Sequence, residues 1–142
     1  MKLVQHLLDN KGRAVVSVPP DASVLEAVKL MADKAIGSLV VIEDDRLCGI
    51  ITERDYARKV IIKGRSSETT SVAEIMSTDV LTTSDSQTVK ECMELMTEKK
   101  IRHLPVVDGE RVVGMISIGD LVEAIIADQQ EAIQHLEHYI NG

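Results

Sequence analysis

The feature that most constrains this chain is an internal repeat. Shifting the 142-residue sequence against itself by 65 positions aligns Ser23–Tyr56 with the second half without a gap. A repeat of this kind means that one supersecondary structure occurs more than once, so the chain is predicted to contain two copies of one small fold. Identical pairs across the alignment include Val24 and Val89, Glu26 and Glu91, Met31 and Met96, Gly49 and Gly114, and Asp55 and Asp120.

Each copy contains the same predicted elements in the order β, α, β, β, α. In the first copy, a short β-like run at 14–18 precedes a helix that begins after Ser23, where Glu26 three residues later completes a capping-box pattern. Two apolar runs then flank an acidic turn at 43–45, as in a β-hairpin. A second helix is predicted to begin after Thr52. The fold class is therefore α/β (α+β), with two tandem βαββα repeats.

One such unit has about 50 residues and buries too small a core to be stable alone. We therefore expect the two copies to pack about a pseudo-two-fold axis, which leaves a cleft with two related sites. The predicted segments are residues 1–62, the first repeat with an N-terminal helix near Val4–Leu8; 63–70, a polar linker; 71–128, the second repeat, entered through a short helix at Val72–Met76; and 129–142, a C-terminal helix extension.

The charge balance narrows the range of partners. The formal net charge of -7 argues against a nucleic-acid partner, because such binding depends on Lys and Arg neutralising phosphates. No apolar run of about 18 residues and no charged-then-apolar leader is present, so neither a membrane span nor a signal peptide is expected, which leaves the cytoplasm. Cys48 and Cys92 each lie in an apolar stretch, and we expect both to be small buried hydrophobic residues.

The most informative candidate site is the segment Gly49–Asp55, which is mirrored by Gly114–Asp120. Each places a hydroxyl at a predicted helix start and an acid three residues later. One interpretation is a capping box that stabilises the helix N-terminus. The other is that the hydroxyl and helix N-terminus bind phosphate oxygens while the carboxylate accepts hydrogen bonds from two ribose hydroxyls. Both can hold, with capping in the empty protein.

The tandem repeat, the two Gly-x-x-[Thr/Ser]-x-x-Asp segments and the strand Ile101–Asp108 resemble a pair of CBS domains, also called a Bateman module. The resemblance covers nearly the whole chain, and the short motif gains specificity because it occurs twice in the same register. It implies clefts that bind adenosine-containing ligands, namely AMP, ADP, ATP, NAD or S-adenosylmethionine. It also implies a role in regulating other proteins.

The resemblance assigns roles to the motif residues by position. It implies that Asp55 and Asp120 hold ribose hydroxyls, that Thr52 and Ser117 face phosphate, and that Arg54 supplies positive charge.

The same resemblance implies that the base lies against the start of the second strand of each copy. Residues before the first helix of each copy are expected to close the pockets. The base-contacting residues are Ile36, Gly37, Ser38 and Leu39 in one site and Arg102, His103, Leu104 and Pro105 in the other, and the closing residues are Ser17 with Val18 and Thr82 with Thr83.

The two sites are expected to be unequal. The second copy has Gly119 where the first has Arg54, so a phosphate bound by the second copy would have to rely on Arg102 or His103. We therefore expect one site to be weak or empty.

Neither catalysis nor metal binding is indicated. Two apolar cysteines and four scattered histidines do not supply a nucleophile, a base and an orienting group, so the chain is not expected to be an enzyme. His135 and His138, with Glu131 one turn earlier, could reach a metal from one helix face, but no further ligand is evident. We expect a solvated helix end and no metal.

The last predicted helix runs past the repeat and carries a heptad-like apolar stripe. The stripe predicts a homodimer to which this helix contributes, although it could instead dock on its own module. Its residues alternate steps of four and three: Val122, Ile126, Gln129, Ile133, Leu136 and Ile140.

Taken together, these patterns favour a non-catalytic module that binds an adenine nucleotide and regulates an unidentified effector protein in trans. The alternative is a ligand-free interaction or dimerisation module in which Asp55 and Asp120 serve only as helix caps.

Overall fold

The computed structural model describes residues 2–141. Met1, which begins the first predicted segment, and Gly142, which ends the last, lie outside the described residues. Helices and strands follow the predicted order in the first half of the chain, and in the second half the first strand of that order is reduced to a single bridge. They are α1 (Val4–Lys11), β1 (Ser17–Val18), α2 (Val24–Lys34), β2 (Ser38–Glu43), β3 (Arg46–Thr52), α3 (Glu53–Tyr56) with a π-helical continuation (Ala57–Ile61), α4 (Val72–Ile75), α5 (Val89–Lys99), β4 (His103–Asp108), β5 (Arg111–Ser117) and α6 (Ile118–Asn141).

The repeat is visible in the strand pairing. β2 pairs antiparallel with β3, and β4 pairs antiparallel with β5, with the same register and an irregularity at the same place in each hairpin. β1 adds a parallel third strand to the first sheet. In the second repeat this strand is reduced to one bridge, in which the Thr83 amide donates to the Pro105 carbonyl at 2.9 Å and the Val107 amide donates to the Thr83 carbonyl at 2.9 Å.

Both long repeat helices begin and end in the same way. The Ser23 hydroxyl accepts the Glu26 amide at the start of α2, and the Thr88 hydroxyl accepts the Glu91 amide at the start of α5. α2 ends at Ala35 and α5 at Lys100, both in the left-handed conformation with φ of 55° and 57°. A left-handed residue reverses the chain after a helix and commonly ends one. The predicted N-caps are thus confirmed in both copies.

The two hydrophobic cores exchange their first helices. α1 was placed with the first repeat by sequence, but its apolar face packs in the second core, where Leu8 is fully buried beside Leu104 and Ile116. α4 packs in the first core through Val72 and Ile75. Since each core is completed by a helix from the other half of the chain, the two repeats are interlocked about the pseudo-two-fold axis.

The same exchange explains the repeated glycine of the motif. A Cβ at Gly49 would lie 2.8 Å from the Ser77 carbonyl oxygen, directly after α4. A Cβ at Gly114 would lie 2.8 Å from Cδ1 of Leu8 in α1. Both strands therefore need a residue without a side chain where the exchanged helix crosses them.

Between residues 2 and 141, none of the helices is both long enough and apolar enough to cross a membrane.

Candidate functional site

Two clefts lie between the repeats, and each combines residues from both. The first, here called the Asp55 cleft, has a volume of about 330 Å³. The end of β3 and the start of α3 form one wall, and the loop and strand start before β4 form the other. Its lining includes Thr52, Glu53, Arg54 and Asp55 from the first repeat and Asp79, Val80, Leu81, Lys100, Ile101, Arg102 and His103 from the second.

The second cleft, here called the Asp120 cleft, has a volume of about 420 Å³. Its acid comes from the second repeat and its opposite wall from the first. The lining residues are Lys11, Ala14, Val16, Ala35, Ile36, Gly37, Ser38, His103, Met115, Ser117 and Asp120.

This crossed arrangement corrects one sequence-based expectation. Arg102 was expected to serve the site of Ser117 and Asp120 because all three belong to the second copy. Arg102 instead lines the Asp55 cleft, and the Asp120 cleft receives its lysine, Lys11, from α1. The pseudo-two-fold axis causes the exchange, because it sets the acid of one repeat opposite the strand start of the other.

In the Asp55 cleft, the motif forms the capping box that its spacing predicts. Oδ2 of Asp55 accepts the Thr52 amide at 3.0 Å and the Thr52 hydroxyl at 3.1 Å, and the Asp55 amide donates to Oγ1 of Thr52 at 3.1 Å. Oδ1 of Asp55 lies 3.1 Å from Nζ of Lys59. Both carboxylate oxygens of Asp55 therefore have partners within its own repeat.

The second motif forms the same cap and adds an ion pair. Oδ2 of Asp120 accepts the Ser117 amide at 2.8 Å, and the Asp120 amide donates to Oγ of Ser117 at 3.2 Å. Nζ of Lys11 lies 2.5 Å from the same Oδ2 and 2.6 Å from the Met115 carbonyl oxygen. Burial raises the pKa of Asp120, but the bonds from Lys11 and Ser117 outweigh it and hold that pKa below its ordinary value.

Lys11 is the functional-site candidate that sequence reasoning missed. It lies 109 positions before Asp120, outside the repeat register, and reaches the cleft only because α1 packs on the second core. Nothing in its local pattern indicates this role.

His103 lies on the boundary between the clefts and lines both of them. Its Cε1 is 3.7 Å from the position that a Cβ on Gly37 would take, so the two strand starts approach closely here. Burial lowers the pKa of His103, and the nearby charges of Lys11 and Arg102 lower it further, against the opposing effects of Glu53 and Asp120. The half-buried imidazole is therefore neutral at pH 7 and can donate or accept one hydrogen bond in either cleft.

The clefts differ in their available positive charge. Arg54, Lys100 and Arg102 line the Asp55 cleft, are exposed, and form no ion pair with another described residue. The Asp120 cleft contains Lys11, which is already paired with the acid. Because charge-assisted hydrogen bonds hold phosphate most strongly, the Asp55 cleft is the better equipped of the two for an anionic group.

Several expected site residues lie outside the clefts. Leu39 and Leu104 are fully buried in the two cores because alternate residues of a strand point to opposite faces, and Val18 is buried likewise. Pro105 is buried and Ser17 is exposed on β1, and neither belongs to the lining of either cleft.

The residues that were expected to close the pockets do not line the clefts, and residues one or two positions earlier in the chain line them instead. Thr82 and Thr83 line a separate cavity of about 290 Å³ within the second repeat, where Oγ1 of Thr83 lies 3.3 Å from Sγ of Cys92. Val16 and its repeat equivalent Leu81 line the clefts instead. Cys92 is buried as expected, whereas Cys48 is only partly buried.

No group of three or more His, Cys, Asp or Glu side chains arranged to hold a metal ion occurs within residues 2–141. His135 and His138 are exposed on α6 together with Glu131.

Comparisons with known proteins agree with the tandem repeat. A family model described as "CBS domain" matches residues 12–62 and again residues 72–127. The chain is 44% identical over 148 residues to the mitochondrial CBS domain-containing protein CBSX3 of Arabidopsis thaliana, a match that covers 98% of this chain and 72% of the relative.

Two solved structures extend the comparison. A putative signal-transduction protein with CBS domains from Burkholderia ambifaria is 50% identical, with a TM-score of 0.84 and coverage of 91% of this chain and 96% of that one. The CBS domain pair of protein MJ0100, in complex with 5'-methylthioadenosine and S-adenosyl-L-methionine, is 26% identical, with a TM-score of 0.81 and coverage of 90% and 98%.

Proposed function

Since this chain belongs to the CBS domain family, as a tandem pair of repeats, we propose that it is a non-catalytic regulatory module that binds an adenosine-containing nucleotide between its repeats. The observation that carries the proposal is the crossed construction of the clefts. Each places a helix-starting carboxylate opposite the strand start of the other repeat. A ligand in either cleft therefore contacts both halves of the chain and is sensitive to their relative position.

The chemistry of the Asp55 cleft fits a nucleotide. An ionised carboxylate can accept both vicinal hydroxyls of a ribose, and Asp55 can supply its two oxygens if the ligand replaces Lys59 and the Thr52 hydroxyl. Arg54 and Arg102 offer planar guanidinium groups for phosphate oxygens. The cleft volumes fall within the range of about 300–1,000 Å³ of small-molecule sites.

The distribution of charge supports a different ligand preference in each cleft. We assign AMP, ADP, ATP or NAD to the Asp55 cleft, because its three cations are free of ion pairs among the described residues. The Asp120 cleft suits an adenosyl ligand with less negative charge, because Lys11 is the one Lys or Arg among its lining residues. The ligands bound by the CBS pair of protein MJ0100 are of this second kind.

The regulatory step is a population shift. Asp120 lies in the first turn of α6, which continues to Asn141 as the longest helix of the described chain. A ligand that replaces Lys11 at Asp120 acts on α1 and α6 together. Such a ligand can therefore shift the module between an arrangement with the Lys11–Asp120 contact and one without it, and so change its affinity for an effector protein. The size of the change is set by the difference between the ligand's affinities for these two arrangements. The expected cytoplasmic location stays a prediction, to be checked by imaging a tagged chain, since one relative is named as mitochondrial.

The alternative function is a ligand-free interaction module. It is favoured by the complete capping boxes, because Asp55 and Asp120 already have every partner that a structural role requires. The two functions predict different effects of replacing the carboxylates. In the nucleotide-binding module, the substitution weakens ligand binding, whereas in the interaction module it changes only the stability of the fold.

Titration calorimetry with AMP, ADP, ATP, NAD and S-adenosylmethionine, with GMP and GTP as controls, tests the proposal. We expect saturable binding of at least one adenosyl ligand and none of the guanine nucleotides. Asp55→Asn keeps a cap acceptor and removes the charge, so it should weaken binding in its cleft about tenfold to a hundredfold. The matched control is Asp33→Asn, on the exposed face of α2. Silence across the panel, or an affinity untouched by Asp55→Asn and Asp120→Asn, would favour the interaction module.

A further inference from the structure

A second cavity adjoins the Asp120 cleft, and one ion pair lies between the two spaces. This cavity, here called the α1–α6 cavity, is lined by residues of the first and last helices and has a volume of about 370 Å³. Lys11 and Asp120 line both the Asp120 cleft and the α1–α6 cavity. Their contact therefore forms part of the wall that the two spaces share, and a movement of the Lys11 side chain changes both.

The α1–α6 cavity offers Lys11 a second carboxylate. Glu123 lines this cavity and follows Asp120 by three residues on α6, a spacing at which Cβ atoms are about 5–6 Å apart. Glu123 is exposed and forms no ion pair with another described residue. The flexible four-carbon stem of a lysine can cover this distance by side-chain rotation. Because Lys11 would also give up its hydrogen bond to the Met115 carbonyl oxygen, Asp120 is the preferred partner until something competes for it.

The attachment of α1 does not depend on which acid Lys11 contacts. At the other end of the helix, Nζ of Lys2 lies 3.1 Å from Oδ1 of Asp128 on α6. Leu7 is buried in the second core between these two charged contacts. The Lys11 side chain can therefore change partners while α1 stays packed against α6.

We propose that Lys11 is a two-position switch, which pairs with Asp120 in one state of the module and with Glu123 in the other, where the ribose of an adenosyl ligand takes Asp120. The inference rests on the nucleotide-binding function proposed above and names how that same site is regulated. Glu123 lowers the cost of displacing Lys11, because the ammonium group exchanges one carboxylate for another instead of losing its partner. Binding in the cleft is thereby reported on the other side of the ion pair, as the neutralisation of an exposed acid on α6.

A double-mutant cycle measured by titration calorimetry tests the switch. The probe is 5'-methylthioadenosine, which carries no net charge, and the background is Asp55→Asn, which weakens the other cleft. Lys11→Met should tighten binding about twofold to fivefold, because Asp120 no longer has to be released from a partly exposed ion pair. Lys11→Gln, which keeps a polar side chain at the end of α1, should tighten binding likewise.

The second arm of the cycle separates a partner of Lys11 from a merely structural residue. Glu123→Gln should weaken binding about twofold to fivefold when Lys11 is present. It should have no effect in the Lys11→Met variant, because no displaced ammonium group remains for Glu123 to receive. The matched control is Glu137→Gln, which removes the same charge from α6 outside the cavity lining and should leave the affinity unchanged.

A crystal structure with bound 5'-methylthioadenosine gives the direct readout, and we expect Nζ of Lys11 within hydrogen-bond distance of a Glu123 carboxylate oxygen. Three results would overturn the switch and leave the nucleotide-binding function standing: weaker binding in Lys11→Met, an effect of Glu123→Gln that is the same with and without Lys11, or a bound structure in which Lys11 still holds Asp120. The lack of saturable binding for every adenosyl ligand would overturn both.

Discussion

Lys11, the last residue of the first helix, holds Asp120 in the first turn of the last helix: Nζ of Lys11 lies 2.5 Å from Oδ2 of Asp120. The contact joins α1 and α6, the first and last helices, across the Asp120 cleft. It also stabilises the ionised form of the acid that the motif places there. Any ligand that binds this carboxylate must compete with Lys11.

Replacing Lys11 should weaken the fold in a pH-dependent way. Lys11→Met should lower the free energy of unfolding by about 0.5–1 kcal/mol at pH 7, because a partly exposed charged pair contributes about this much. The pKa of Asp120 is below its ordinary value of 3.8 in the folded chain. The contribution of the ion pair to the free energy of unfolding is therefore present above pH 3.8. It disappears as the pH falls through the pKa of Asp120 in the folded chain. Urea denaturation at pH 7 and at acid pH measures it.

The control for this prediction is Lys29→Met, an exposed lysine of α2 that forms no ion pair with the part of the chain that the structure describes. It should leave the free energy of unfolding unchanged at both pH values. A Lys11→Met deficit that persists undiminished in acid would contradict the pairing with ionised Asp120.

The cations of the Asp55 cleft should decide the preference for phosphate. Arg102→Ala should weaken binding of ATP about tenfold and leave binding of adenosine unchanged, because the exposed guanidinium contacts only the charged part of the ligand. Lys90→Ala, an exposed position on α5 outside the cleft lining, is the matched control. Calorimetry in two salt concentrations measures both. Equal losses for ATP and adenosine would place Arg102 against the base instead.

The two motif glycines should respond unequally to alanine. In Gly49→Ala, the new methyl group meets the Ser77 carbonyl, whose backbone is held by hydrogen bonds of 2.9 Å and 3.0 Å to Ile50. In Gly114→Ala it meets the end of the Leu8 side chain, which can rotate. Overpacking costs about 1–3 kcal/mol. We expect the upper end of that range for Gly49→Ala and the lower end for Gly114→Ala, measured by urea denaturation. A larger loss of unfolding free energy in Gly114→Ala than in Gly49→Ala would show that the Ser77 backbone is not the more rigid neighbour.

The exchange of helices can be tested through Leu8. Leu8→Ala removes a fully buried side chain and should cost about 2–4 kcal/mol of unfolding free energy. Hydrogen exchange should speed up first in α5 and β4, which share its core, and not in α2 and β2. Ile62→Ala, at a position that is 75% exposed, is the control and should change little. Faster exchange confined to the first repeat would mean that α1 packs where the sequence order suggests.

Much of the fold could be predicted because its signals are local. Ser23 and Glu26, and likewise Thr88 and Glu91, identify helix starts from residues three positions apart, and the structure forms both caps. The repeat itself predicted two hairpins in equal register. The first strand of the second repeat was overestimated, because pairing with β4 there extends to a single bridge at Thr83.

The candidate site was predicted only in part, for a physical reason that Leu39 and Lys11 illustrate. A run of residues at a strand start alternates between core and cleft, so Ser38 lines the Asp120 cleft while its neighbour Leu39 is buried. Lys11 has no local signal at all.

The sequence by itself determined most of the elements, their caps and the doubled acid, because these depend on neighbours a few residues apart. Only the tertiary structure decided that α1 packs in the second core and α4 in the first. It also decided that Arg102 lines the cleft of Asp55, that Lys11 lines the cleft of Asp120, and that His103 lines both clefts. Those relationships join residues far apart in the chain. They follow from burying two small apolar cores together, which no local pattern encodes.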